Sequence, residues 1–219
     1  MTLHSLEPSS VETLSAATPL WLRLRDTYTG RPPARVDVVL ERKVGSDWVT
    51  LPHPHQISSQ GDLGFLNLGR ARWGSAGAFD VRVSCTAPHT IAETVSGKPA
   101  LETTITIWTD QSPPVPTIEP ISFFPAPDYA FSPSTPLLTG RVVDAAGVPV
   151  DRARVRVIET FGARLVIEEA RTTPDGWFRL PLRWSTGTTQ VDADKGVLTD
   201  SIAIVVPDDL RSLPTLTLT

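Results

Sequence analysis

The sequence predicts an all-β chain made of two tandem antiparallel β-sandwiches joined by a Pro- and aromatic-rich connector. Three observations carry that expectation. Short runs of alternating apolar and polar residues recur along the 219 residues, and no stretch shows a convincing 3.6-residue period. Gly, Pro and Asp clusters punctuate the runs at near-regular intervals, as in a sandwich. The prolines crowd into one segment, residues 111–136, which divides the chain in two.

Taken in order, residues 1–17 are polar and aperiodic, and are expected to be a flexible arm; Leu6, Val11 and Leu14 allow at most a helical turn. The first sandwich spans 18–110. Leu20, Leu22 and Leu24 alternate with Trp21, Arg23 and Arg25, a strand with one apolar face. After an Asp26…Gly30 turn, Val36, Val38 and Leu40 form the next strand. Further strands are expected over 48–51, over 78–85, and over the β-branched run 103–108. Cys85, the single cysteine, sits in the second of these, so no internal disulfide is available and a small buried filler is its simplest role.

Between 111 and 136 lie Pro113, Pro114, Pro116, Pro120, Pro125, Pro127, Pro133 and Pro136, a density expected to keep this segment out of any sheet. Ile118, Ile121, Phe123, Phe124, Tyr129 and Phe131 are interleaved with them. Two readings stand. The aromatics pack across the junction and fix the sandwiches rigidly, or Phe123, Phe124, Tyr129 and Phe131 dock on a neighbouring subunit.

The second sandwich, 137–219, is the clearest stretch. Gly140-Arg141-Val142-Val143-Asp144 is a strand, 145–149 a turn, and Ala153, Val155 and Val157 alternate with Arg152, Arg154 and Arg156. Pro174-Asp175-Gly176 turns into Trp177-Phe178-Arg179-Leu180. Strands are expected again over 201–206 and, at the extreme C-terminus, over 215–219. The two halves echo each other. Asp26…Gly30-x-Pro32…Ala34-Arg35-Val36 resembles Asp144…Gly147-x-Pro149…Ala153-Arg154-Val155, and Asp62-Leu63-Gly64-Phe65 resembles Asp175-Gly176-Trp177-Phe178. A degenerate tandem duplication accounts for both.

The pattern carried by Gly140, Val142, Asp144, Gly147, Pro149, Ala153 and Val155, followed by Thr172, Asp175, Gly176, Phe178 and Leu180, resembles the carboxypeptidase regulatory-like domain. The resemblance covers roughly residues 137–219 and implies a transthyretin-like (Ig-like) β-sandwich. It implies no activity, since that domain is a scaffold carried by unrelated proteins.

No catalytic, cofactor-binding or metal site is assigned from the sequence. A net charge of −4, with the arginines scattered along strands, argues for solvated sheet faces and against a nucleic-acid surface. His53 and His55 with His89 are a weak zinc-type set, and a loop is the better reading. Asp192, Asp194 and Asp200 are a weak calcium-type set, better read as a polar rim. Glu168-Glu169 and Asp208-Asp209 are adjacent pairs, which on a strand point to opposite faces, the wrong arrangement for acid–base work. The transthyretin-like hydroxyisourate hydrolases are excluded, because no histidine follows Val115 and the chain ends Leu216-Thr217-Leu218-Thr219. The six tryptophans are expected to be buried between sheets or at the junction, with Trp21 the candidate for an outward face.

A non-enzymatic structural protein is therefore expected, made in the cytoplasm because residues 1–7 show no signal-peptide pattern, and needing no cofactor. The two-part layout loosely resembles a component of a phage tail or phage-tail-like contractile injection system (baseplate, collar or tail decoration), which implies incorporation into a virion or similar particle. Its partners would be other protein subunits, with no nucleic acid and no membrane span; homo-oligomerisation stays open. The alternative is a surface-displayed or extracellular module binding carbohydrate or protein. A metal-dependent enzyme centred on His53 and His55 comes third.

Overall fold

A computed structural model describes residues 17–73 and 77–219, and among these described residues there are sixteen strands and two short 3₁₀ turns. The expected N-terminal arm lies outside the described residues, apart from Ala17. The N-terminal half contains β1 (Leu20–Asp26), β2 (Asp37–Val44), β3 (Asp47–Thr50), β4 (His55–Ile57), β5 (Asp62–Phe65), β6 (Ala78–Thr86), β7 (Thr90–Thr94), β8 (Ala100–Thr106) and β9 (Thr117–Pro125). The C-terminal half contains β10 (Leu137–Asp144), β11 (Arg154–Phe161), β12 (Arg164–Arg171), β13 (Trp177–Pro181), β14 (Gly187–Lys195), β15 (Leu198–Val206) and β16 (Thr215–Leu218).

Each half is a sandwich with its own core. In the first, β4-β5-β1-β9-β7 faces β3-β2-β6-β8; in the second, β13-β10-β16 faces β12-β11-β14-β15. Alternation sets which side chains fill the space between. On β1, Leu20, Leu22 and Leu24 are buried against Leu63, Phe65, Val81, Val83 and Phe123. On β11, Val155 and Val157 are buried with Leu138, Phe178, Leu180 and Leu216. Cys85 lies in the first core, where burial pushes its thiol up to about 12.

The expected duplication is written in the topology. β5-β1-β9 corresponds to β13-β10-β16, and β3-β2-β6-β8 to β12-β11-β14-β15, in the same order and with the same directions. Local chemistry repeats as well. Asp26 Oδ1 accepts the N–H groups of Tyr28 and Thr29, and Asp144 Oδ1 those of Ala146 and Val148. Gly61 (φ +88°) and Gly176 (φ +78°) each press against the first strand of their half. A Cβ would lie 2.5 Å from the carbonyl oxygen of Leu24 in one case and of Val142 in the other. This close approach sets the register of the repeat: Gly61, not Leu63, matches Gly176, two residues away from the pairing that the sequence suggests.

The tandem, mainly antiparallel sandwiches are as expected, with one parallel pair in each, where the final strand returns beside the first, β9 beside β1 and β16 beside β10. One expectation needs correction: the proline-rich segment does enter a sheet. β9 pairs with the whole of β1 from Thr117 to Phe123 and with β7 from Ile121 to Pro125. Pro120 precedes that second pairing and Pro125 ends the strand, so the missing N–H groups fall where the ladder has an edge or an end. Only residues 126–136 run between the halves without a strand.

Candidate functional site: the junction between the sandwiches

The junction is built around the end of β1. Asp26 closes that strand, buried, with Oδ1 capping the turn that follows. Its second oxygen accepts the Tyr129 hydroxyl at 2.6 Å, tying residues 126–136 back to the first half. Burial and this bond to the carboxylate push the Tyr129 phenol well above its usual range. Tyr28, Tyr129 and Phe131 form a cluster with ring centroids 4.9–5.6 Å apart, two of the contacts edge-to-face. The Tyr28 hydroxyl lies 3.1 Å from Thr135 Oγ1.

Four arginines from the second half close over this surface. Arg183 stacks on Tyr28 at 4.4 Å while donating to Glu168. Arg179 lies 5.6 Å from the Phe131 ring and donates to the Pro127 carbonyl at 3.1 Å. Arg152 donates to the Ala92 carbonyl at 2.8 Å. Arg171 is the deepest, its side chain 7% exposed. It lies 3.6 Å from the Phe124 ring centroid, pairs with Glu93 of β7, and sits 3.6 Å from Glu169. A guanidinium suits this position because it is planar, weakly hydrated, and offers donors at its edge while its face stacks.

The four residues expected as docking candidates are thus placed within the molecule. Phe123 is fully buried in the first core, and Phe124 is buried beneath Arg171. Tyr129 and Phe131 are half-buried in the ring cluster. The scattered arginines, expected on solvated faces, include this converging set. The sequence pattern hides them, since Arg171 and Thr172 are buried in succession where β12 leaves its sheet and the alternation stops.

The remaining candidates are not drawn together. His53 Nε2 bonds the Leu66 carbonyl oxygen at 2.7 Å, and desolvation lowers its pKa. His55 is exposed on β4, and His89 bonds Asp128 instead. Asp194 pairs with Arg154, Asp192 lies 3.7 Å from Arg156, and Asp200 accepts backbone N–H groups of Ser201 and Thr217. Among the described residues, no group of three or more His, Cys, Asp or Glu is arranged to hold a metal ion. Glu168 and Glu169 do face opposite ways, Glu168 inward. Asp208 and Asp209 sit on a 3₁₀ turn rather than a strand. Trp108 is buried with its indole N–H on the Leu68 carbonyl. Trp21 lies across Gly64, whereas Trp177 and Trp184 are each 39% exposed. No described helix is long and apolar enough to cross a membrane.

No family model matches the chain, and no curated protein does. Among solved structures it is similar to a streptococcal ancillary pilin (11% identity, TM-score 0.32), covering 94% of this chain and 64% of that one. It is also similar to the Bacillus anthracis TIE protein (14%, TM-score 0.27, covering 93% and 33%). A third is a single-residue mutant of the shaft pilin SpaA from Lactobacillus rhamnosus GG (9%, TM-score 0.27, covering 93% and 97%). The chain therefore spans about two thirds of the ancillary pilin's length. The β-sandwich architecture rests on the strands and registers described above.

Proposed function

We propose that this chain is a rigid two-module structural subunit that works through protein–protein contacts. The observation that carries this reading is the junction. Arg171, held between Phe124 and the Glu93 carboxylate, couples the two cores where a flexible tether would leave them independent. A spacer or assembly element needs that stiffness, and a binding module on a linker does not. Limited proteolysis of the isolated chain tests it. Residues 112–135 should resist cleavage as long as the sandwiches do, and rapid cutting there would remove the rigid-spacer reading.

We further propose that the assembly is a phage tail or phage-tail-like contractile particle, with the chain made in the cytoplasm and built in as a baseplate, collar or decoration subunit. This rests on the two-part layout of the sequence. Co-sedimentation with tube and sheath proteins from native lysate would support it. Recovery on a cell surface or as free protein would favour the display module instead.

A further inference from the structure

β11 and β14 run together only from Arg154↔Asp194 to Val157↔Val191. Beyond that point β11 continues with β12 alone and β14 begins with β15 alone, so the sheet forks. In the fork is a cleft of about 520 Å³, lined by Glu159, Trp184, Ser185, Gln190, Asp192 and Ile158 among others.

Glu159 lies at its base, 3% exposed. Oε1 accepts the Trp184 backbone N–H at 3.1 Å and the Ser185 hydroxyl at 2.5 Å. Oε2 is buried and accepts from no described residue. Leaving a buried carboxylate oxygen without a donor is costly. Of the neighbouring cations, Arg183 is engaged with Glu168 and Tyr28, and Arg156 lies 3.7 Å from Asp192 of the lining with its buried Nε making no hydrogen bond to a described residue. The lining is otherwise mostly polar, with Thr160, Thr186, Thr188 and Thr189 around the single aliphatic Ile158. Outside the cleft, Ile158 (52% exposed) pairs directly with Ile167 (57%) and is followed along the same face by Leu165 (75%), an exposed aliphatic strip leading away from it.

We propose that this cleft is a socket for a cationic side chain, lysine above all, carried on an extended segment of a partner protein that lies along Ile158 and Ile167. The charge complementarity is local and rests on Glu159, whose Oε2 has no donor among the described residues, with the indole of Trp184 in the lining; Asp192 is already paired with Arg156. The strip outside the cleft decides between partners: an extended polypeptide with its cation in the cleft covers Ile158, Ile167 and Leu165 with its own apolar residues, whereas a saccharide held in the polar cleft leaves them exposed. The inference rests on the structural reading above and names the chemistry of the partner surface.

The test is a titration of the full ¹⁵N-labelled chain with Nα-acetyl-lysine N-methylamide, followed by amide NMR. The expected result is shifts confined to residues 158–160 and 184–192. The norleucine analogue, which lacks the ammonium, should produce none, and glucosamine should bind more weakly than the lysine probe. Glu159→Gln, which keeps the acceptor for Trp184 and Ser185, should weaken the probe about tenfold or more, roughly 1.4 kcal/mol. Thr188→Lys, which supplies an ammonium in cis, should block the probe even if Glu159→Gln fails to fold. No shifts at the probe's solubility limit, equal binding of norleucine, tighter binding of glucosamine, or binding unchanged in both variants would each overturn the proposal. Resistance of residues 112–135 to protease is read separately, so the socket can fail while the rigid subunit stands.

Discussion

The two sandwiches share one strand plan and differ in what has been added to it. The first carries β4 and β7, which have no counterpart in the second. β7 is the instructive addition. In the second half, β16 forms the edge of its sheet; in the first, the equivalent β9 is covered by β7. β7 then supplies the Glu93 carboxylate and the Ala92 carbonyl that receive Arg171 and Arg152. An inserted strand has protected an edge, a known liability of open sheets, and has turned it into half of a joint. The two copies of one strand plan are thus joined through a small insertion in one copy and a few arginines in the other.

The largest expected effect breaks the joint. Arg171→Ala leaves Glu93 nearly buried without its partner and removes the cation over Phe124. Loss of one member of such a pair costs about 3–5 kcal/mol, and a desolvated cation–π contact contributes about 2 kcal/mol within that. Calorimetry should show one unfolding transition in the parent and two in the variant, as the halves begin to melt separately. A single unshifted transition would mean that Arg171 does not couple them.

The repeat itself is sharpened by its two close glycines. At Gly61 and Gly176, Ala meets both a positive φ and a carbonyl oxygen 2.5 Å from the new Cβ. Gly61→Ala and Gly176→Ala should each cost about 1–3 kcal/mol, and should do so to similar extents in denaturant melts. Gly147→Ala is the control. Its φ is +80° but nothing lies within 4 Å of the added carbon, so its cost should be the smallest of the three. If all three cost the same, the backbone angle alone matters and the close approach does not.

These positions also show how far the sequence could be read. Period-2 alternation placed Leu20, Leu22 and Leu24 and Val155 and Val157 in their cores, because a strand with one wet face records its burial in its pattern. Turn residues revealed the repeat, though two residues out of register, since Asp62-Leu63-Gly64 imitates a turn that Gly61 makes. Proline density misled at β9. Pro excludes a residue from a ladder only where its N–H would face a partner, and a sequence does not show which edge is open. The arginines of the junction were unreadable for a related reason. Arg171 meets Glu93 across 78 residues of chain, and nothing local marks it as buried. Glu159 was equally hidden, in step with Val155 and Val157 yet at the mouth of the sheet, where the core gives way to the cleft.

The smallest effect concerns the other buried carboxylate of that end, and its sign is the useful part. Burial raises the pKa of Glu168 more than its pairing with Arg183 lowers it, and the nearby Glu159 charge adds to the rise. The ionised form is therefore disfavoured by folding. Its cost is absent below the unfolded pKa of 4.5 and develops as pH rises through the higher folded value. Glu168→Gln, which keeps an acceptor for Arg183, should then be as stable as the parent at pH 7 or slightly more so. The difference should vanish near pH 4, where the parent carboxyl is protonated. Urea melts of the two proteins at both pH values check this. A parent clearly more stable at pH 7 would show that the Arg183 pair, which also stacks on Tyr28, outweighs the desolvation of its carboxylate and belongs with Arg171 among the contacts that hold the halves together.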